Sequence, residues 1–144
     1  MDGFTYHGSC LCEGISFNIR GQPEKVFMCY CSDCQKNAGA PYQICAKFDK
    51  DQVETLEKEA QIGNWIVRQT VSGAEKHKRF CTRCGCTLWT VPMNHGGEKF
   101  IVRTALLEGG LETLRPAAEF FAPCKPSYVT SPEGTKPFAR MPGY

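Results

Sequence analysis

The chain has 144 residues, a net charge of +2 and a pI near 8.0, and its apolar and charged fractions of 42% and 22% are those of an ordinary globular protein. That balance excludes a disordered chain, and Lys and Arg residues that are scattered rather than striped give no footing for binding nucleic acid through many phosphates. No apolar run approaches the roughly 20 residues of a bilayer span, and the opening "MDGFTYHGSC" lacks the basic and apolar regions of a signal peptide, so one cytoplasmic domain over 1–144 is expected.

In chain order, "SCLCEG" places Cys10 and Cys12 in a turn, and "GISFNIRG" then alternates Ile15, Phe17 and Ile19 with polar residues, the period of a half-buried strand. "FMCYCSDCQKNAGAPY" holds Cys29, Cys31 and Cys34. Within it, "SDCQKNAG" predicts a helix of one or two turns, with Ser32 or Asp33 as N-cap and Gly39 as the stop. "APYQICAKF" reads as a strand with Cys45 as a buried apolar filler. "DKDQVETLEKE" fits either a second short helix or a strand with a charged turn. "NWIVRQTV", "CTLWTV" and "EKFIVRTALL" are further strands rich in aromatic and β-branched residues, and "MNHGGE", with His95, reads as a hairpin turn. Phe80, Trp89, Phe100 and Phe120 are expected in the core. From Pro116 onward, six of the nine prolines predict an irregular tail laid over the body. The pattern is mainly β with little helix.

Ten cysteines in a chain that reads as intracellular point to metal ligands rather than disulfides. In "CTRCG", Cys81 and Cys84 stand three apart before a glycine that permits a tight turn, so both sulfurs can reach one ion at about 2.3 Å. Cys10 and Cys12 can do the same, and together the two pairs make a closed structural zinc site of four thiolates. The triplet Cys29, Cys31 and Cys34 is left with three ligands, the count that distinguishes catalytic from structural zinc, and a water or a substrate thiol can complete it. Cys45, Cys86 or a histidine could instead close this second site. Cys86 and Cys124 are free to approach the open position. An iron–sulfur cluster fits less well, because ferredoxin spacings are absent, and a zinc ribbon from Cys31, Cys34, Cys81 and Cys84 is disfavoured by the long gap between its knuckles. His7 and His77 flank cysteine clusters, where a hydrogen bond to a ligand is conceivable but an exposed edge position is commoner.

"GSCLCEGISF", "CYCSDCQKNAGAP" and "RFCTRCGCTLW" resemble, in order and spacing over about residues 8–108, the three signatures of the glutathione-dependent formaldehyde-activating enzyme family, which includes centromere protein V. The resemblance implies a β-tent fold of small twisted antiparallel sheets and two Zn2+ ions. It also implies condensation of glutathione with formaldehyde to S-hydroxymethylglutathione. Carried over motif by motif, Cys10, Cys12, Cys81 and Cys84 hold the structural zinc, and Cys29, Cys31 and Cys34 the catalytic one. Cys86 stands where the family carries Ser or Thr, "VRTALLEGG" matches the family's next stretch loosely, and Glu119 and Tyr128 replace its C-terminal His and Trp. Lys36 and Arg83 are the expected partners for the carboxylates of a glutathione-like thiol. The expected activity is that of a zinc-dependent carbon–sulfur lyase acting on a small-molecule thiol and aldehyde. The competing expectation is a zinc-stabilised module that carries glutathione or binds a protein without turnover.

Overall fold

The computed structural model describes residues 3–144. In strand β2 (Ile15–Ile19) every second side chain, Ile15, Phe17 and Ile19, is fully buried, while Ser16 and Asn18 are half-buried, as the alternation predicts. It lies between β1 (Tyr6–Ser9) and β5 (Val53–Glu57) in a three-stranded antiparallel sheet. A second sheet contains β3 (Lys25–Cys29), β4 (Gln43–Asp49), β6 (Ile62–Val67), β7 (Lys76–Cys81), β8 (Thr87–Pro92), β9 (Lys99–Arg103), β10 (Ala118–Phe120) and β11 (Lys136–Pro137). Its spatial order is β11-β10-β3-β4-β9-β8-β7-β6. Among the described residues helix is confined to α1 (Ser32–Ala38), α2 (Gly110–Thr113) and 3-10 turns, so the fold is mainly β. Among the described residues no helix is long and apolar enough to cross a membrane.

The register of the larger sheet sorts its residues onto two faces. Ala46 pairs with Val102, Phe48 with Phe100 and Val102 with Trp89. These side chains pack against Tyr6, Ile15, Phe17 and Ile19 of the smaller sheet to form the main core, and Trp89 meets Phe17 edge-on at 5.6 Å and stacks on Phe100 at 5.1 Å. The opposite face carries the alternate residues. Phe120, Cys29 and Gln43 are cross-strand neighbours there, as are Phe27, Cys45 and Arg103, and as are Lys25, Lys47, Ile101 and Thr90. One sheet thus has an apolar face for the core and a second face that carries polar groups and sulfur.

Two local expectations are refined and a third is met. The N-cap of α1 is Cys31, not Ser32 or Asp33: its backbone is extended and its sulfur accepts the Cys34 N–H at 3.4 Å, which puts Ser32 and Asp33 inside the first turn. Gly39 ends the helix in the left-handed conformation, as expected. "DKDQVETLEKE" resolves into a 3-10 turn at Lys50–Gln52 followed by β5.

The proline-rich segment also supplies sheet. β10 lies parallel to β3, and β11 parallel to β10, the two parallel pairings among the described strands. Glu119 of β10 points away from the sulfur-bearing face and is 2% exposed. Its carboxylate accepts the hydroxyls of Tyr30 (2.6 Å), Ser131 (2.9 Å) and Thr135 (2.7 Å), which ties the end of the chain to the residue after β3. Burial opposes ionisation, but these hydrogen bonds and nearby Lys125 more than offset it, so the Glu119 pKa lies below the usual carboxylate range. Tyr128 is exposed.

Candidate functional site

Two groups of ligand-type side chains come together among the described residues. The sulfurs of Cys10, Cys12, Cys81 and Cys84 form one, those of Cys29, Cys31 and Cys34 the other, and within each group all lie within 4.8 Å of one another. Each group could hold a metal ion.

The four-cysteine group joins the two sheets. Cys10 and Cys12 follow β1, whereas Cys81 ends β7 and Cys84 lies in the turn to β8. Cys10 and Cys12 Sγ are 3.6 Å apart, and Cys12 and Cys81 Sγ 3.7 Å. A tetrahedron of sulfurs about 2.3 Å from its centre has edges of about 3.8 Å. All four cysteines are free thiols, and Cys10 and Cys81 are fully buried. Gly85 has φ +77°, a conformation that a side chain would strain, and its N–H closes the knuckle onto the Cys81 carbonyl at 2.8 Å. The Cys84 N–H donates to Cys81 Sγ at 3.4 Å and Gln61 Nε2 does so at 3.2 Å. Burial pushes the Cys10 thiol up to about 11. It pushes Cys81 the same way, but the N–H groups of Cys84 and Arg83 and the Gln61 amide prevail and hold Cys81 down at about 6. Sulfurs at tetrahedral spacing, with a thiolate favoured by N–H donors, suit a cation. Cys86, half-buried, packs against this region of the core and lies apart from the triplet group.

The triplet sits at the end of β3 and the start of α1. Cys29 is aimed by the pleat onto the sulfur-bearing face, Cys31 caps the helix, and Cys34 falls in its first turn. Hydrogen bonds from the Cys29 and Cys34 thiols hold the Cys31 pKa far below that of a free thiol, and the same sharing raises Cys29 to about 12 and Cys34 further. Gln43 Nε2 donates to Cys34 Sγ at 3.5 Å and to Cys45 Sγ at 3.4 Å. Cys45 is buried with Phe27, Cys29 and Phe120, as a filler should be. Neither Cys45, Cys86, Cys124 nor a histidine joins the triplet group. Cys124 is exposed, His77 faces Glu75 at 3.5 Å, and His7 bonds Asn18 at 2.6 Å.

All three sulfurs line a cavity of about 470 Å³, within the usual range for small-molecule sites. Its floor is the second face of the large sheet, and its walls come from α1, residues 69–76 and the C-terminal residues 141–144. His95, in the turn between β8 and β9, also lines it. Lys36 and Arg83, expected from their nearness to cysteines, do not: both are exposed and neither borders the cavity. Lys36 follows Cys34 by two helical positions, which turns it to another side of α1, and Arg83 belongs to the other cluster.

Lys25, Lys47, Lys76 and Arg103 are the Lys and Arg residues that border the cavity. Lys47 is engaged by Glu24 at 2.9 Å and His95 at 3.3 Å, and Lys76 is 3.9 Å from Asp33. Arg103 is 7% exposed and its Nε, Nη1 and Nη2 have no hydrogen-bond partner among the described residues. Burial lowers its pKa, against the pull of the Cys45 and Cys34 thiols. The sequence reading did not single out this residue, although an arginine inside the apolar run "FIVRTALL" is a signal that could have done so.

Fold and site together define a two-sheet protein with one metal-capable sulfur clamp and one metal-capable sulfur triplet open to a cavity. The model of the family described as glutathione-dependent formaldehyde-activating enzyme matches residues 5–123, and the chain belongs to that family. At family level this is glutathione-related lyase chemistry. The chain is 26% identical over 121 residues to an uncharacterised lyase of Schizosaccharomyces pombe, covering 84% of this chain and 81% of that one. It is 34% identical over 85 residues to a Halomonas elongata protein named as a candidate glutathione-dependent formaldehyde-activating enzyme, covering 57% and 53% of the two chains. The crystal structure of a Rhodobacter sphaeroides protein shares the fold, with a TM-score of 0.55 at 19% identity over 72% of this chain and 88% of that one.

Proposed function

We propose that the protein is a zinc-dependent carbon–sulfur lyase that joins, and in reverse separates, a glutathione-like thiol and a small aldehyde, as an S-hydroxymethylglutathione synthase does. The observation that carries this reading is that Cys29, Cys31 and Cys34 converge within 4.8 Å on the wall of a cavity of about 470 Å³, with no fourth ligand in the group among the described residues. Cys10, Cys12, Cys81 and Cys84 would hold a structural zinc and the triplet a catalytic one. When bound there, zinc supplies stabilisation of a substrate thiolate near neutral pH.

The chain's own residues do the rest. Gln43 fixes the Cys34 sulfur through its amide N–H, so the triplet keeps its orientation as substrates come and go. The apolar floor at Phe27, Ile101 and Phe120 gives a small aldehyde a dry place beside the sulfurs. Addition forms one carbon–sulfur bond and leaves the proton lost by the thiol on the former carbonyl oxygen. Holding the two reactants together turns an encounter in solution into a step within one complex.

The test compares glutathione with S-methylglutathione by calorimetry and follows formaldehyde exchange by NMR. Glutathione should bind at least ten times more tightly than the methyl ether, and the protein should accelerate formation of the adduct. Equal affinities would show that sulfur is not the point of attachment, and tight thiol binding without acceleration would leave a glutathione carrier.

A further inference from the structure

A guanidinium is costly to bury without partners, and a protein that keeps one in that state normally uses it. Arg103 is such a group, and three observations say what it awaits. First, its place is fixed by register: its Cα is paired with that of Cys45, so its side chain shares the cavity face with Gln43, Cys45 and Cys29. Second, the acidic side chains that line the cavity are engaged elsewhere, Asp33 near Lys76 and Glu75 with Arg68 and His77. The sulfurs of Cys34 and Cys45 feel its charge, yet accept no hydrogen bond from it. Third, Gln43 Oε1 is also buried and, among the described residues, unpaired, while the N–H group of the same side chain is engaged with Cys34 and Cys45. A donor fork diagonal to a lone acceptor is the complement of a carboxylate next to an amide N–H, the pair found at the end of a peptide.

We propose that Arg103 anchors a carboxylate of the thiol substrate, so that the site selects acidic, peptide-like thiols over neutral ones. This rests on the reading that a thiol enters the cavity, and it moves carboxylate recognition from Lys36 and Arg83 to the cavity floor. The rival role, a countercharge for the sulfur triplet, would favour every thiol alike.

The experiment uses the full chain with its metal and measures binding of glutathione, glutathione diethyl ester and 2-mercaptoethanol to the unaltered protein, Arg103→Gln and Arg103→Lys. Arg103→Gln should weaken glutathione by about 10- to 100-fold, leave 2-mercaptoethanol within about two-fold, and abolish the preference for glutathione over its ester. Arg103→Lys should recover part of the glutathione affinity, because it keeps the charge and loses the fork. Metal content should not change, and melting of Arg103→Gln should not fall, since a buried charge without partners is removed. Equal losses for all three ligands would assign the countercharge role and overturn the proposal, as would an unchanged glutathione affinity. Should Arg103→Gln fail to fold, the ester and Arg103→Lys still decide: an ester bound as tightly by the unaltered protein as glutathione refutes carboxylate anchoring. If the unaltered protein binds none of the three thiols, the lyase reading falls with this one, whereas equal binding of acidic and neutral thiols removes only the role of Arg103.

Discussion

Gly14 makes the room that Gln61 occupies: a Cβ on Gly14 would lie 2.4 Å from Gln61 Nε2, the atom that donates to Cys81 Sγ at 3.2 Å. Gly14→Ala should therefore swing this amide off the sulfur, and Gln61→Leu should remove it outright. Either change should lower the affinity of the four-cysteine cluster for metal by about 10- to 100-fold. Competition against a chelator, with cobalt as the coloured probe, measures this. Unchanged affinity in both variants would mean that the amide does not support the cluster.

The two clusters should respond differently to loss of one sulfur. Binding of a structural zinc is worth about 10–16 kcal/mol, as much as a domain's whole stability. Cys81→Ser should accordingly fail to fold, whereas Cys31→Ser should keep its melting temperature within a few degrees and lose one of two bound zinc ions. Elemental analysis and calorimetry read both outcomes. A soluble Cys81→Ser protein with unchanged melting contradicts the structural role.

Stepwise metal removal should follow exposure. The triplet borders an open cavity, while Cys10 and Cys81 are 2% and 0% exposed. A chelator titration should strip the first equivalent with no change in far-ultraviolet circular dichroism and the second together with unfolding. Loss of both in a single transition would rule out independent sites.

Glu119 gives a pH dependence with a defined sign. Its folded pKa lies below the unfolded value of about 4.3. The stabilisation it contributes is therefore complete above that value and disappears as pH falls through the lowered folded pKa. Glu119→Gln should cost about 1–3 kcal/mol at pH 7, because its buried hydroxyl partners lose a charged acceptor. The gap in melting temperature between the two proteins should narrow below about pH 4. A gap that is constant with pH would show that the charge on Glu119 contributes nothing.

The parts of this molecule that were legible in the sequence are those set by neighbours along the chain. Ile15, Phe17 and Ile19 alternate because a strand has period two, and the cysteine pairs are close in sequence because one ion must be reached from one turn. Arg103 was not legible as a binding group, since its lack of partners depends on its pairing with Cys45, 58 positions earlier, which no local pattern encodes. The N-cap was misplaced for a related reason. Ser and Asp are the usual caps, but here the sulfur of Cys31 takes that place because the cluster draws it toward Cys34. Likewise, the prolines after 116 gave no sign that β10 would enter the sheet in parallel beside β3.

The clamp of Cys10, Cys12, Cys81 and Cys84 also imposes an order on biosynthesis. The triplet is complete once residue 34 has left the ribosome, but the clamp cannot close until residue 84 follows, 50 residues later. During that interval Cys10 and Cys12 are two closely spaced thiols with no buried surroundings, open to oxidants and to stray metals. The nascent chain therefore depends on a reducing environment more acutely than the finished protein, and brief oxidative stress should damage newly made molecules while sparing folded ones.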